Sequence, residues 1–171
     1  MAATDQIPGE PDPATKTRRR RIALAWSFVV VWAGVIWTLG GDDWSLQQTS
    51  RFLSPLIEFI FGELDGPTKW RIYLGVRKSA HFVEYAILAL LTFRAALISA
   101  PKNRVATAAW TALFLVALVA TADEARQAFS SARSGSANDV LIDVTGGAVA
   151  VGALLLISRR LRERKEVPTE A

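Results

Sequence analysis

The stretch A-D-E-A-R-Q-A-F-S-S-A-R-S-G-S-A-N-D-V-L-I-D-V-T-G-G-A-V-A-V-G, residues 122–152, decides how this chain folds. A polar loop stands between two long apolar segments. The loop and the adjoining segment ends carry Asp123, Glu124, Arg126, Gln127, Arg133, Asp139 and Asp143. Ionisable groups beside or inside such segments are costly and mark functional positions by default. A second polar group, Arg77, Lys78, His81, Glu84 and Tyr85, opens another apolar segment. The central expectation is that these two groups meet at one side of a membrane.

Working outward, the apolar residues fall in blocks, and hydrophobic residues make up 51% of the 171. A hydrocarbon core takes about 20 apolar residues. Four segments qualify, at about 22–39, 80–98, 105–122 and 140–158. The fourth is interrupted only by Asp143. The first is long for a signal peptide, and the following Gly40-Gly41-Asp42-Asp43 resembles no small-residue cleavage site, so a retained helix is expected. Trp26, Trp37 and Trp44 lie near its ends as interfacial aromatics do. Between the first two spans, Leu46, Leu53, Leu56, Ile57 and Ile60 recur at helical spacing among polar residues. This predicts an amphipathic helix lying in the interface, with Ser54-Pro55 as cap and first turn and Gly66-Pro67 as its stop. The fold class is all-α: an integral membrane four-helix bundle with an outer interfacial helix. Residues 1–21 are expected to be a disordered basic cytoplasmic N-terminus, residues 22–158 the transmembrane domain, and residues 159–171 a basic cytoplasmic tail.

Arg18–Arg21, the turn at 101–104 and Arg159–Lys165 are all basic, and four spans place them on one side. Lysine and arginine collect in cytoplasmic loops. Both termini are therefore expected in the cytoplasm, with the 40–79 and 123–139 loops outside. The net charge of +4 serves topology, since no basic face of a soluble domain is visible and no nucleic-acid partner is implied. Absence of cysteine excludes disulfides, thiol catalysis and thiolate metal sites, and the single histidine excludes a multi-histidine metal site within one chain. A divalent ion bridging Asp123 and Glu124 to Asp139 is compatible with their oxygens, but the spacing does not demand one. No metal and no cofactor is assigned.

Arg77, His81, Glu84 and Leu88 are spaced four, three and four apart, so they share a helix face. If the third helix continues past 122, Asp123, Arg126 and Gln127 share another. Asp139 and Asp143 stand one turn apart, and Gly146, Gly147, Ala148 and Gly152 below them allow close helix approach, Ala148 and Gly152 at small-xxx-small spacing. The candidate cluster is Lys78, His81, Glu84, Tyr85, Asp123, Glu124, Gln127, Arg133, Asp139 and Asp143. Arg133 fits planar recognition of phosphate or carboxylate.

R-K-S-A-H-F-V-E-Y-A-I-L-A-L-L (77–91) and D-E-A-R-Q-A-F-S-S-A-R-S-G-S-A-N-D-V-L-I-D-V-T-G-G (123–147) resemble the two signature stretches of VanZ-like membrane proteins. Matching positions are Lys78, His81, Phe82, Tyr85, Asp123, Glu124, Gln127, Phe129, Arg133, Asp139, Asp143 and Gly146. Arg126 and Asp143 depart from the usual apolar residue or His and the frequent Asn. The resemblance implies a bacterial inner-membrane protein of a family named after a glycopeptide (teicoplanin) resistance accessory protein. Three functions fit: binding a lipid or lipid-linked envelope precursor at the outer leaflet, catalysis on a lipid-linked substrate with His81 and an acid moving protons, or a structural or partner-binding role built on an ion-pair network. The first leads, because no nucleophile elbow or phosphate-binding glycine loop marks an enzyme.

Overall fold

The computed structural model describes residues 12–41, 46–100, 104–129 and 135–166. Five helices follow one another: α1 (Pro13–Leu39), α2 (Leu46–Phe61), α3 (Gly66–Ser99), α4 (Val105–Ala128) and α5 (Ala137–Glu166). No strand occurs among the described residues. Four of the helices, all but α2, are long and apolar enough to cross a membrane. Only 11–39% of the residues in their apolar windows are buried by protein. The remaining apolar surface, including Phe28, Val31, Trp110, Phe114 and Leu156, faces outward and requires an apolar solvent. The chain is a helical membrane bundle.

Helix α3 is its axis and packs against each of the other four helices. The core runs along its length through Tyr85, Leu88, Ala89, Phe93 and Ala96, facing Ala108, Ala112, Val116 and Ala120 of α4 and Val151 of α5. Ala108, Ala112 and Ala120, with Val116 between them at the same four-residue spacing, give α4 a seam of small residues that lets it lie close to its neighbours.

Several boundaries differ from the sequence-based expectation. Residues 13–21, expected to be disordered, are helical: Pro13 sits in the first turn, where its missing N–H costs nothing. The tail is helical to Glu166. Pro55 stands inside α2 instead of near its start. Gly66-Pro67, expected to stop α2, begins α3, because Asp65 caps that helix by accepting from the Thr68 amide at 3.3 Å. Hydrogen bonding from Thr68 holds the Asp65 carboxyl below the usual carboxylate range. The cap therefore persists until the pH falls below that range. The α2–α3 junction is tied by Lys69 to Glu58 at 2.7 Å and by Ser54 to the Tyr73 hydroxyl at 2.8 Å. Lys69 keeps the Glu58 carboxyl ionised below its ordinary range. Helix α2 buries Ile57 and leaves Leu56, Phe59, Ile60 and Phe61 exposed, an amphipathic face that α3 does not cover. Trp44 and the turn residues 101–103 lie outside the described residues.

The antiparallel order sorts charge to two ends. Arg18 donates to the Ser99 carbonyl at 3.1 Å and Trp26 to the Ser99 hydroxyl at 3.0 Å, joining the start of α1 to the end of α3. The opposite end holds the end of α1, the first half of α3, the end of α4 and the start of α5. All the described candidate residues are there.

Candidate functional site at the polar end of the bundle

Helix α4 continues past residue 122 to Ala128, as the shared face of Asp123, Arg126 and Gln127 requires. Asp123 is 1% exposed and fully engaged. Its Oδ1 accepts from Arg126 at 2.7 Å and its Oδ2 from the Gln127 amide at 2.8 Å. Gln127 Oε1 in turn accepts from Arg77 of α3 at 3.1 Å. The Arg126 guanidinium lies 4.4 Å over the Trp37 ring of α1. Gly40 makes room for that approach: a Cβ there would come within 2.6 Å of both Arg126 and Asp123. This half of the polar end is a network linking three helices, charge against charge with an aromatic beneath it, in which only Arg126 Nε lacks a hydrogen-bond partner among the described residues.

The other half is built differently. His81 of α3 stacks on Tyr85 with ring centroids 6.4 Å apart, and its Nδ1 stands 3.5 Å from Oδ1 of Asp143 on α5. That separation is long for a hydrogen bond. His81 Nδ1, the Tyr85 hydroxyl and both Asp143 oxygens are buried with no hydrogen-bond partner. Asp143 is 1% exposed and Glu124 5%. Glu124 Oε2 accepts from the Ser136 backbone N–H at 2.8 Å, so the start of α5 orients it. His81, Glu124 and Asp143 each place a ligating atom within 4.8 Å of the others. At the rim, Lys78 binds Asp139 at 2.7 Å, with side chains 44% and 29% exposed.

Small residues let these helices meet. A Cβ on Gly146 would fall against the Phe82 carbonyl, so only glycine allows α5 this close to α3, three residues beyond Asp143. A Cβ on Gly147 would meet the Val116 and Ala89 side chains at 3.1 and 3.4 Å, a tighter fit than usual but against side chains instead of backbone. The Ala148/Gly152 pair plays no such part: Gly152 has nothing within 4 Å of where a Cβ would stand, and Ala148 is exposed. The close contact sits one turn earlier because α5 presents its 143–146–147 face to α3 and α4.

The structure thus brings together Lys78, His81, Tyr85, Asp123, Glu124, Gln127, Asp139 and Asp143. Glu84 lies on the same stretch of α3, half-buried, and its carbonyl accepts from the Trp32 indole at 2.9 Å. Arg133 lies outside the described residues. The candidate set omitted Arg77, Arg126, Trp37 and Gly40. The available signal for them was the shared face of Trp37 and Gly40, three apart, at the level where Arg126 needs a partner.

A helical membrane bundle with a buried polar site at one end is the class these observations define. A family model described as VanZ/LLP1 matches residues 25–158, most of the chain, and the chain belongs to that family. No curated protein and no solved structure matches it.

Proposed function

We propose that this protein binds the anionic headgroup of a membrane lipid or lipid-linked cell-envelope precursor at the polar end of its bundle, altering the envelope and with it glycopeptide susceptibility. One observation carries the reading. Four buried polar atoms in the His81–Tyr85–Asp143 half have no protein partner, and a buried polar group without a partner costs several times what a made hydrogen bond returns. A headgroup whose hydroxyl or amine groups donate to the Asp143 oxygens, with its anionic group held apart by the cations at the rim, would satisfy them. Arg77 and Lys78 stand above as the cations that meet it. Arg77 donates to Gln127 and Lys78 to Asp139, and each has further N–H donors to offer.

Orientation follows the same reading. The basic segments lie at the opposite end, which the positive-inside tendency assigns to the cytoplasm of a bacterial inner membrane. Both termini are then cytoplasmic, the polar end faces the outer leaflet, and the exposed apolar face of α2 lies in that leaflet's interface. Reporter fusions after Glu63 and after Ser136 should read outside, and one after Asn103 inside.

The binding test is native mass spectrometry of the protein released from mild detergent. Wild type is expected to retain an anionic lipid or precursor that Lys78→Ala and Arg133→Ala lose while staying folded. Equal retention by all three proteins, or none by wild type, would contradict the reading. The His81–Asp143 juxtaposition also favours a second reading, proton transfer on a lipid-linked substrate. There, Asp143→Asn would keep the bound lipid but stop its conversion.

A further inference from the structure

Among the described residues, the cluster's acids divide by the company they keep. Asp123 pairs with Arg126 and Asp139 with Lys78. Glu124 and Asp143 pair with no lysine or arginine, yet they are 5% and 1% exposed. Their nearest basic group is His81, whose Nδ1 is also buried and unpartnered. Three helices therefore converge one imidazole nitrogen and two carboxylates on a point from which water is largely excluded.

We propose that His81, Glu124 and Asp143 form a binding site for one divalent transition-metal cation of the zinc or manganese class. The ligating atoms lie within 4.8 Å of one another. Atoms sharing one such ion at bond lengths of about 2.0–2.2 Å stand roughly 3–4 Å apart, so small side-chain rotations close the set. Asp143, almost wholly buried, has both oxygens unpartnered in the middle of that set. The two carboxylates carry the two negative charges that a divalent ion neutralises, and no lysine or arginine among the described residues takes that place.

The donor set selects the ion. Calcium and magnesium favour oxygen donors alone, whereas an imidazole with carboxylates suits zinc, manganese and iron. Supporting contacts are present. The Ser136 amide fixes one Glu124 oxygen, Tyr85 stacks on the imidazole, and the Gly146–Phe82 approach sets the separation of α5 from α3. Three protein ligands leave coordination positions for water or an anionic oxygen. The inference concerns the same end of the bundle as the headgroup reading but does not rest on it.

The test uses the full chain in detergent without added lipid. Protein purified without chelator is assayed by elemental mass spectrometry, then stripped with EDTA and titrated with zinc or manganese chloride while thermal unfolding is followed. About one ion per chain and a rise in Tm of about 5 °C or more at saturating metal are expected. Asp143→Asn and His81→Gln should lose the rise. Asp139→Asn, which touches only the rim pair, should keep it. Because Asp143→Asn removes a carboxylate that no lysine or arginine among the described residues holds, it is expected to fold, and circular dichroism checks this. No metal and no Tm response in wild type would overturn the site. So would a response that persists in the His81→Gln/Asp143→Asn double variant, which would place the ion elsewhere. Protein that keeps lipid but takes no metal defeats this inference alone; protein that takes metal but keeps no lipid defeats only the headgroup reading.

Discussion

Asp123 and Asp143 are equally buried, each 1% exposed, on neighbouring helices at the same end of the bundle. One accepts two hydrogen bonds, from Arg126 and Gln127; the other accepts none. Burial alone therefore does not identify a functional acid. The Asp123 half fastens helices with partners drawn from α1, α3 and α4. The Asp143 half leaves groups without a hydrogen-bond partner among the described residues. A structural ion-pair network and a ligand site were rival explanations of the polar end, and the molecule contains a region fitting each.

The comparison can be broken at several points. The largest effect is expected at Gly146, whose replacement by leucine drives a side chain into the Phe82 backbone. Overpacking of this kind costs about 1–3 kcal/mol, and against backbone the upper end is expected, which chemical denaturation in mixed micelles should show. Gly152→Ala, with open space around it, should leave stability equal or slightly raised. Next comes Trp37→Ala, which removes the ring beneath Arg126 and should cost about 1–2 kcal/mol in the same assay. If the Asp123 half is the fastening, this loss appears without loss of bound ligand. Lys78→Gln breaks a half-exposed pair and should cost less than about 1 kcal/mol, while ligand retention falls. Smallest is Arg18→Gln at the basic end, expected within about 0.5 kcal/mol of wild type, with its influence confined to topology.

Much of this was legible because charge within apolar sequence is conspicuous. The four long apolar runs correspond to four long helices. The spacing of Arg77, His81 and Glu84 placed them on one face, and the expected continuation of the third helix put Asp123, Arg126 and Gln127 together. What could not be read was which acid is satisfied. That depends on the rotation of α5 against α3, which the Gly146–Phe82 contact sets and which no single helix's periodicity reveals. Trp37 illustrates the same limit. An aromatic near a helix end reads as an interface anchor, and its pairing with Arg126 requires knowing that α1 ends beside α4. The α2–α3 junction was misplaced for a local reason. A Gly-Pro pair suits either the end of one helix or the start of the next; here α2 already ends before Gly62, whose φ is positive, and the Asp65 cap one residue upstream assigns Gly66-Pro67 to α3.

The most direct test of the division is a paired measurement on Asp123→Asn and Asp143→Asn. Both proteins would be compared with wild type for thermal stability in detergent with EDTA, and for retained lipid in native mass spectra recorded without it. Asp123→Asn should unfold several degrees earlier, because Arg126 loses its counter-charge. Asp143→Asn should unfold no earlier than wild type, because it neutralises a buried carboxylate that no lysine or arginine among the described residues holds, and it should lose the bound lipid. Asp143→Asn protein that is destabilised as much as Asp123→Asn, or that keeps its lipid, would contradict the account.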